Sequence, residues 1–433
     1  MNRTAMGQLV EWKSRPNRKP LILRGARQVG KTWLMREFGR LHFDKMAYVN
    51  FDNNERMAAL FEGDLGIPRL ITALQIETGI LITASDTLII FDEIQEVPRA
   101  LTALKYFNEN APEYAVIAAG SLLGVALHKG TSFPVGKVDF LDLYPMSYTE
   151  FLSVIESSDL IELLNKQDFD LIMAFKGRYI DALRQYYFVG GMPEAVAAFS
   201  ERKDFSEVRH IQSHLLEAYE QDFSKHAPNE IVPRIRMLWE AVPAQLAKEN
   251  RKFIYGAIRQ GARAKEFELA MQWLLDCGLV HKVTHVAKPD MPLMAYQDTS
   301  AFKLYMLDVG LLAAKANLNV KSLLEGNRVF TEFKGALTEQ YVLQQLLADC
   351  GIKPFYWTAE RATAEVDFVF QYGSDIVPLE VKAEENLKAK SLRQYYDKFK
   401  PRYALRMSMS DFRKEEWMTN LPLYAAALSS AMP

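Results

Sequence analysis

Cysteine is nearly absent: Cys277 and Cys350 are the only two in 433 residues. That excludes a disulfide scaffold and a cysteine-rich metal site, and it fits a reducing compartment, so the expected location is cytoplasmic. A charge surplus of either sign is also lacking, the formal net charge being −2. A global basic field is thereby excluded, and any nucleic-acid surface has to be a local patch. There is no long apolar run. The most apolar stretch, Ala115 to Leu127, is broken by Gly120, Ser121 and Gly124 and is shorter than the roughly 20 residues a membrane span needs. Met1 to Trp12 carries Arg3 and Glu11 and does not read as a signal peptide, so no membrane partner is expected. Internal repeats and low-complexity linkers are missing as well.

What remains is the composition of a folded globular chain, 49% hydrophobic and 24% charged, long enough for more than one domain. From Lys19 to Leu143 short apolar runs alternate with helix-like segments. Pro20–Arg24, Met46–Phe51, Thr87–Asp92, Tyr114–Ala119 and Val138–Leu141 read as strands apolar on both faces, the pattern of a covered parallel sheet. After Pro145 the chain turns helical, with Gly190-Gly191-Met192-Pro193 as a turn. Between Ile231 and Ala316 helices precede an extended pair near Gly278–Val286 and Leu293–Gln297, an order similar to a winged helix. Phe302–Leu312 reads as helix core without chemistry. A helix at Gly335–Asp349, strands at Phe355–Thr358, Glu365–Tyr372 and Asp375–Lys382, and a helix near Ala389–Lys400 close the chain.

The segment Gly25-Ala26-Arg27-Gln28-Val29-Gly30-Lys31-Thr32 fits G-x-x-x-x-G-K-T between an expected strand and an expected helix. Glycines there let successive N–H groups face phosphate oxygens, and the helix N-terminus adds positive potential. Lys31 is expected on the β- and γ-phosphates of ATP, and the Thr32 hydroxyl on Mg²⁺. Thr87–Asp92 followed by Glu93 supplies the second half: Asp92 to hold Mg²⁺, Glu93 to orient the attacking water. Ser121, after the apolar run 114–119, is placed where it would sense the γ-phosphate, with a plain Gly-Ser turn as the alternative.

Further on, Glu365-Val366-Asp367-Phe368 and Glu380-Val381-Lys382 flank Gly373-Ser374. With those two residues as a type II′ turn, Asp367 falls opposite Glu380 and Glu365 opposite Lys382, all on one face. Opposed acids repel, and a shared divalent cation would relieve that. The alternative is an amphipathic hairpin whose charges face solvent.

These strings together, with Phe91-Asp92-Glu93-Ile94-Gln95, Phe302-Lys303-Leu304-Tyr305 and Asp308-Val309-Gly310-Leu311-Leu312, resemble prokaryotic AAA-type ATPases that carry a C-terminal domain of unknown function related to PD-(D/E)xK nucleases. The resemblance spans essentially the whole chain. It implies an α/β P-loop NTPase with a parallel sheet, then a helical and winged-helix-like region, then an α/β restriction-nuclease-like domain. The expected boundaries are 1–150 for the ATPase, 151–225 for a helical lid-like segment, 226–325 for the winged-helix-like part and 326–433 for the nuclease-like part. It also implies a nuclease metal site of Glu339, Asp367 and Glu380, with Lys382 activating water and not ligating. Where the family often has Gly-Arg, this chain has Gly136-Lys137.

Lys252, Arg259, Arg263, Lys265 and Lys282, with Tyr255 and Phe267, form either a DNA-contacting patch or the solvated face of a spacer. Arg178 and Arg184 read as surface helix arginines, with a lid or finger arginine reaching ATP as the alternative. The functional expectation is Mg²⁺-dependent ATP hydrolysis coupled to DNA binding or cleavage, with DNA a candidate partner and a homo-oligomer a candidate assembly. The alternative is a nucleotide-controlled switch whose C-terminal domain is a catalytically inactive binding module.

Overall fold

The computed structural model describes residues 2–120, 134–248, 252–321, 331–360, 363–384 and 389–430. The chain divides into two compact units, 1–144 with 276–278, and 145–275 with 279–433.

The first unit is built on strands β1 (Leu21–Arg24), β2 (Lys45–Asn50), β3 (Thr87–Asp92), β4 (Ala115–Ala119) and β5 (Asp139–Asp142), ordered β2-β3-β4-β1-β5. Every pairing is parallel. All residues of β3 and β4 are buried, so the continuous apolar runs reflect a sheet covered on both faces. On one face, Val49, Ile89, Phe91 and Val116 pack with Leu70 and Leu74 of α4 (Ile67–Thr78) and Leu101 and Leu104 of α5 (Pro98–Asn110). These helices are preceded by α1 (Ala5–Ser14), α2 (Lys31–His42) and α3 (Glu55–Glu62). In α2 the buried residues Leu34, Met35, Phe38 and Gly39 recur at helical spacing, and the helix packs on β2, β3 and β4. Because all five strands run the same way, the segments after β1 and β3 emerge at one edge of the sheet.

The second unit begins with helices α6 (Tyr148–Ile155), α7 (Ser158–Lys166), α8 (Phe169–Ala174), α9 (Lys176–Val189), α10 (Pro193–Arg202), α11 (Phe205–His226), α12 (Val232–Leu246) and α13 (Ala264–Asp276). The Gly190–Pro193 segment is a structural turn. Gly190 has φ 72°, and a Cβ there would lie 2.2 Å from Asp308 Oδ1. The Gly191 N–H donates to Asp308 Oδ2 at 2.6 Å, and Asp308 also caps α14 (Val309–Lys315) by accepting from Leu311 N at 2.9 Å. Full burial raises the Asp308 pKa, opposed by these backbone donors.

An eight-stranded mixed sheet completes the unit. Its strands are β6 (Val280–Val286), β7 (Gln297–Met306), β8 (Phe355–Thr358), β9 (Glu365–Tyr372), β10 (Asp375–Val381), β11 (Leu405–Ser408), β12 (Arg413–Lys414) and β13 (Thr419–Pro422), ordered β12-β13-β11-β10-β9-β8-β6-β7. The hairpin β6–β7 therefore shares a sheet with the strands that follow it, across the boundary expected at 325. Phe302–Met306 is strand, not the helix core expected from the sequence; the helix starts only at Val309. Leu293–Tyr296 is a short 3₁₀ turn where an extended segment was expected. The β9–β10 register pairs Phe368 with Leu379 and Tyr372 with Asp375, as a two-residue turn at Gly373-Ser374 requires, and Gly373 has φ 57°.

The helix α15 (Thr331–Ala348) is buried on several sides and carries Thr338, Glu339, Gln340, Gln344 and Gln345 into the interior. Its glutamines serve backbone groups at the end of β7 and the start of α14. Gln340 both accepts from Met306 N at 2.9 Å and donates to Met306 O at 2.7 Å, while Gln344 accepts from Val309 N at 3.0 Å. The helix α16 (Lys390–Phe399) lies near β9 and β10. No described helix is long and apolar enough to cross a membrane.

Candidate functional site

At the shared strand edge of the first unit, β1 ends in the loop 25–30 and α2 begins at Lys31. Gly25 has φ 150°, and a Cβ there would sit 2.2 Å from the Leu143 carbonyl oxygen, so no larger residue fits. Gly30 caps α2 with φ 95°, and Gln28 also takes a positive φ of 65°. These residues of positive φ turn the loop's backbone, and Ala26 and Val29 within it are buried. Arg27 belongs to the same loop and pulls the Lys31 pKa down slightly by charge repulsion.

Lys31 is 7% exposed and folds back over the loop, donating from Nζ to Gly25 O at 2.8 Å and Ala26 O at 2.7 Å. Burial lowers its pKa from 10.5 to about 8, with Glu93 and Asp92 pulling the other way. The Thr32 hydroxyl donates to Asp92 Oδ2 at 2.7 Å. Asp92 is buried at the end of β3, receives the Tyr48 hydroxyl on the same oxygen at 2.8 Å, and accepts Glu93 N on Oδ1 at 3.1 Å. Burial and the Asp92 hydrogen bond raise the Tyr48 pKa to about 12, so it stays a donor. Arg36 lies over the Tyr48 ring, 3.9 Å from its centre. Tyr48 is a site residue that the sequence reading missed; its place on β2, paired with Ile90 of β3, is the signal that points to it.

Glu93 follows Asp92 in a left-handed conformation, φ 51° and ψ 43°, uncommon for a residue with a side chain and a form of local strain. Gln95 holds its carboxylate, donating from Nε2 to Glu93 Oε2 at 2.6 Å. The structure thus brings Gly25, Gly30, Lys31, Thr32, Asp92 and Glu93 to one edge. Ser121 lies outside the described residues. Lys137 lies at the opposite edge: it precedes β5 and pairs with Glu109 at 2.9 Å. Arg178 and Arg184 are engaged with Glu156 and with Asp181 on the helices of the second unit.

The C-terminal acids converge in a second place. Glu339 on α15 is 2% exposed, Asp367 on β9 is 8% and Glu380 on β10 is 2%, so these three carboxylates are buried, while Glu365 at the start of β9 is half-buried. Glu339 and Asp367, with Glu365, share a partner in Lys303 of β7, itself 0% exposed. Its ammonium pairs with Glu365, lies 3.6 Å from Glu339 Oε2 and 4.0 Å from Asp367 Oδ1, and sits over the Tyr356 ring. Tyr305, two residues on along the same face, donates to Glu339 Oε2 at 3.0 Å. Asp367 Oδ2 accepts Val381 N at 2.8 Å. Lys382 pairs with Glu380 Oε1 at 3.0 Å, while Glu380 Oε2 is buried without a hydrogen-bond partner. Burial raises the Glu380 pKa; Lys382 opposes the rise. Of the three acids to which the resemblance assigns a divalent cation, Glu339 and Asp367 face the Lys303 ammonium and Glu380 faces Lys382. Among the described residues no group of three or more His, Cys, Asp or Glu side chains is arranged to hold a metal ion.

In the basic middle segment, Arg259 is paired with Glu266 at 2.8 Å and Lys282 lies over the Phe302 ring, while Lys252, Arg263 and Lys265 are exposed.

Comparison with known proteins assigns families to parts of the chain. Residues 17–152 match an AAA domain, 180–322 match a domain of unknown function (DUF8612), and 334–425 match a second domain of unknown function (DUF4143). The N-terminal part is accordingly an AAA-type P-loop ATPase domain. No curated protein matches. Among solved structures, the Walker-type ATPase PabY2304 of Pyrococcus abyssi is similar at 14% identity over 73% of this chain and 95% of that one, with a TM-score of 0.46. The Aeropyrum pernix ORC1 protein, solved with DNA, is similar at 13% identity over 73% and 93%, with a TM-score of 0.27. A Thermotoga maritima RuvB variant is similar at 13% identity over 66% and 88%, also with a TM-score of 0.27.

Proposed function

We propose that the N-terminal unit binds ATP with Mg²⁺ and hydrolyses it at the edge formed by loop 25–30 and the end of β3. The observation that carries this is the joining of Thr32 to Asp92 at 2.7 Å, beside a buried Lys31 held over a loop of left-handed residues. The donor set fits the ion. Mg²⁺ favours carboxylate and hydroxyl oxygens and phosphates, and the Thr32 hydroxyl keeps its lone pairs while its proton is spent on Asp92. Held by Thr32 and Asp92, Mg²⁺ would offset charge on the phosphate oxygens.

The chain's own residues do the rest. Loop N–H groups and the start of α2 bind the phosphate chain. Lys31 exchanges the carbonyls of Gly25 and Ala26 for phosphate oxygens, a stronger, charge-assisted partnership. Glu93 orients water and receives its proton, with Gln95 fixing the carboxylate's position.

The test is phosphate release by the purified chain with Mg²⁺ and with EDTA. Turnover in Mg²⁺ that disappears in EDTA supports the reading, and its absence in both overturns it. A pH dependence follows from Lys31. The free protein holds this group at about pKa 8, and phosphates favour its charged form. Affinity for a non-hydrolysable ATP analogue should be highest below pH 8 and fall as pH rises through 8, by up to about tenfold per pH unit. Calorimetry near pH 9 in buffers of different ionisation enthalpy should show proton uptake on binding; no uptake would mean that Lys31 does not meet the phosphates.

The finer role divides between coupling to DNA and nucleotide-controlled switching. Lys303 at the centre of the C-terminal acids favours the switch, with that domain as a binding module. Turnover stimulated by DNA, with the stimulation lost as salt rises, would instead favour coupling to DNA.

A further inference from the structure

The C-terminal acid cluster has the residue types of a phosphodiester-cleaving metal site but a different occupant. We infer that Lys303 is a built-in cation that replaces a divalent metal at the focus of Glu339, Glu365 and Asp367, so that this domain holds its buried acids together without metal and does not cleave nucleic acid.

Three observations carry the inference. Lys303 is fully buried, and a buried ammonium is costly unless it is paired. Its partners come from two elements other than its own: Glu339 from α15, and Glu365 and Asp367 from β9. Several oxygens of the cluster have further partners. Tyr305 donates to Glu339, Val381 N–H donates to Asp367 Oδ2, and Lys382 takes Glu380 Oε1. Mg²⁺ demands near-octahedral oxygen coordination at about 2.0–2.1 Å. An ammonium within 4.0 Å of three carboxylates stands where those ligands would have to meet. The orphan Glu380 Oε2 is a single oxygen and does not by itself make such a site.

Charge supports the same arrangement. Four carboxylates, Glu339, Glu365, Asp367 and Glu380, face Lys303 and Lys382, with the buried Arg406 also attracted to Glu380. Three cations against four acids leave little for a divalent ion to neutralise. Lys303 also explains why the cluster forms at all, since it fastens the β6–β7 hairpin to α15 and β9.

The test uses the full chain without nucleotide and counts bound Mn²⁺ by the loss of the free-ion electron paramagnetic resonance signal. Wild type and Asp367→Asn, an isostere that keeps an acceptor for Val381 N–H, should bind the same number of ions, the N-terminal site being common to both. One more Mn²⁺ in wild type than in Asp367→Asn would overturn the inference. Lys303→Met should melt several degrees lower than wild type in EDTA, take up one additional Mn²⁺ per chain, and recover part of the loss when Mn²⁺ is added. A Lys303→Met protein that melts like wild type and gains no ion would also overturn it. If that variant does not fold, the comparison of wild type with Asp367→Asn decides alone. DNA cleavage by wild type in Mn²⁺ that is lost in Lys382→Ala would be equally fatal.

Discussion

Replacing Lys31 with alanine is expected to weaken ATP binding by at least about 100-fold and to leave the melting temperature of the nucleotide-free protein unchanged. The two halves have one cause. In the free protein Lys31 is a buried cation whose hydrogen bonds go to two neutral carbonyls, Gly25 O and Ala26 O. Burial lowers its pKa to about 8, which shows that the site disfavours its charge. Removing it costs the empty fold little. In the complex those carbonyls give way to phosphate oxygens, and hydrogen bonds to charged partners contribute about 1.5–3 kcal/mol each. Two such bonds amount to roughly 3–6 kcal/mol, and each 1.4 kcal/mol is tenfold in affinity. Titration with a fluorescent ATP analogue measures the loss, and thermal melting without nucleotide separates it from unfolding. Wild-type affinity in the variant would remove Lys31 from the phosphate site and the ATP reading with it.

Much of the first unit was legible because its signals are local. The strands of a covered parallel sheet are unbroken apolar runs, and Thr87–Asp92 is strand to the residue. The β9–β10 register was also legible, since one glycine turn fixes every pairing in a hairpin. Burial of the hairpin's acids was not. A carboxylate in an alternating strand reads as solvent-facing unless its partner is known, and the partner of Glu365 and Asp367 is Lys303, over 60 residues earlier in the chain. Phe302–Met306 is buried throughout, which erases the two-residue period that distinguishes strand from helix. The available signal was Asp308, whose side chain caps a helix starting at Val309 and so cuts the run in two.

The last strands were missed for a related reason. Arg406 and Ser408 of β11 are buried, and both donate to Asn420 Oδ1 of β13, each at 2.8 Å. Polar groups that satisfy one another across a sheet leave no hydrophobic pattern to read. Lys137 shows the converse: the sequence offers a basic residue, and only the strand direction shows that it sits at the edge away from the phosphate loop.

Glu93→Gln is expected to keep ATP binding and reduce hydrolysis by about 10²–10⁴-fold, the range that a positioned general base contributes. The substitution is nearly isosteric, and an amide at this position can still accept from Gln95 Nε2, which now donates to Glu93 Oε2 at 2.6 Å. The left-handed backbone at φ 51° is set by the end of β3 and is not altered by the side-chain change. Asp92 keeps both of its hydroxyl donors, Thr32 and Tyr48, so the candidate Mg²⁺ position is untouched. What is lost is the capacity to take a proton from water. The variant should therefore hold unhydrolysed ATP, seen as a thermal shift with ATP as large as the wild type's and as phosphate release close to background. A Gln95→Ala protein should lie between the two, because it frees the Glu93 carboxylate without removing it. Normal turnover in Glu93→Gln would place the base on another residue and reduce the strained backbone at position 93 to a feature of the turn. Loss of binding together with turnover would show that Glu93 helps hold the nucleotide complex itself, and its role would then be one of charge rather than of proton transfer.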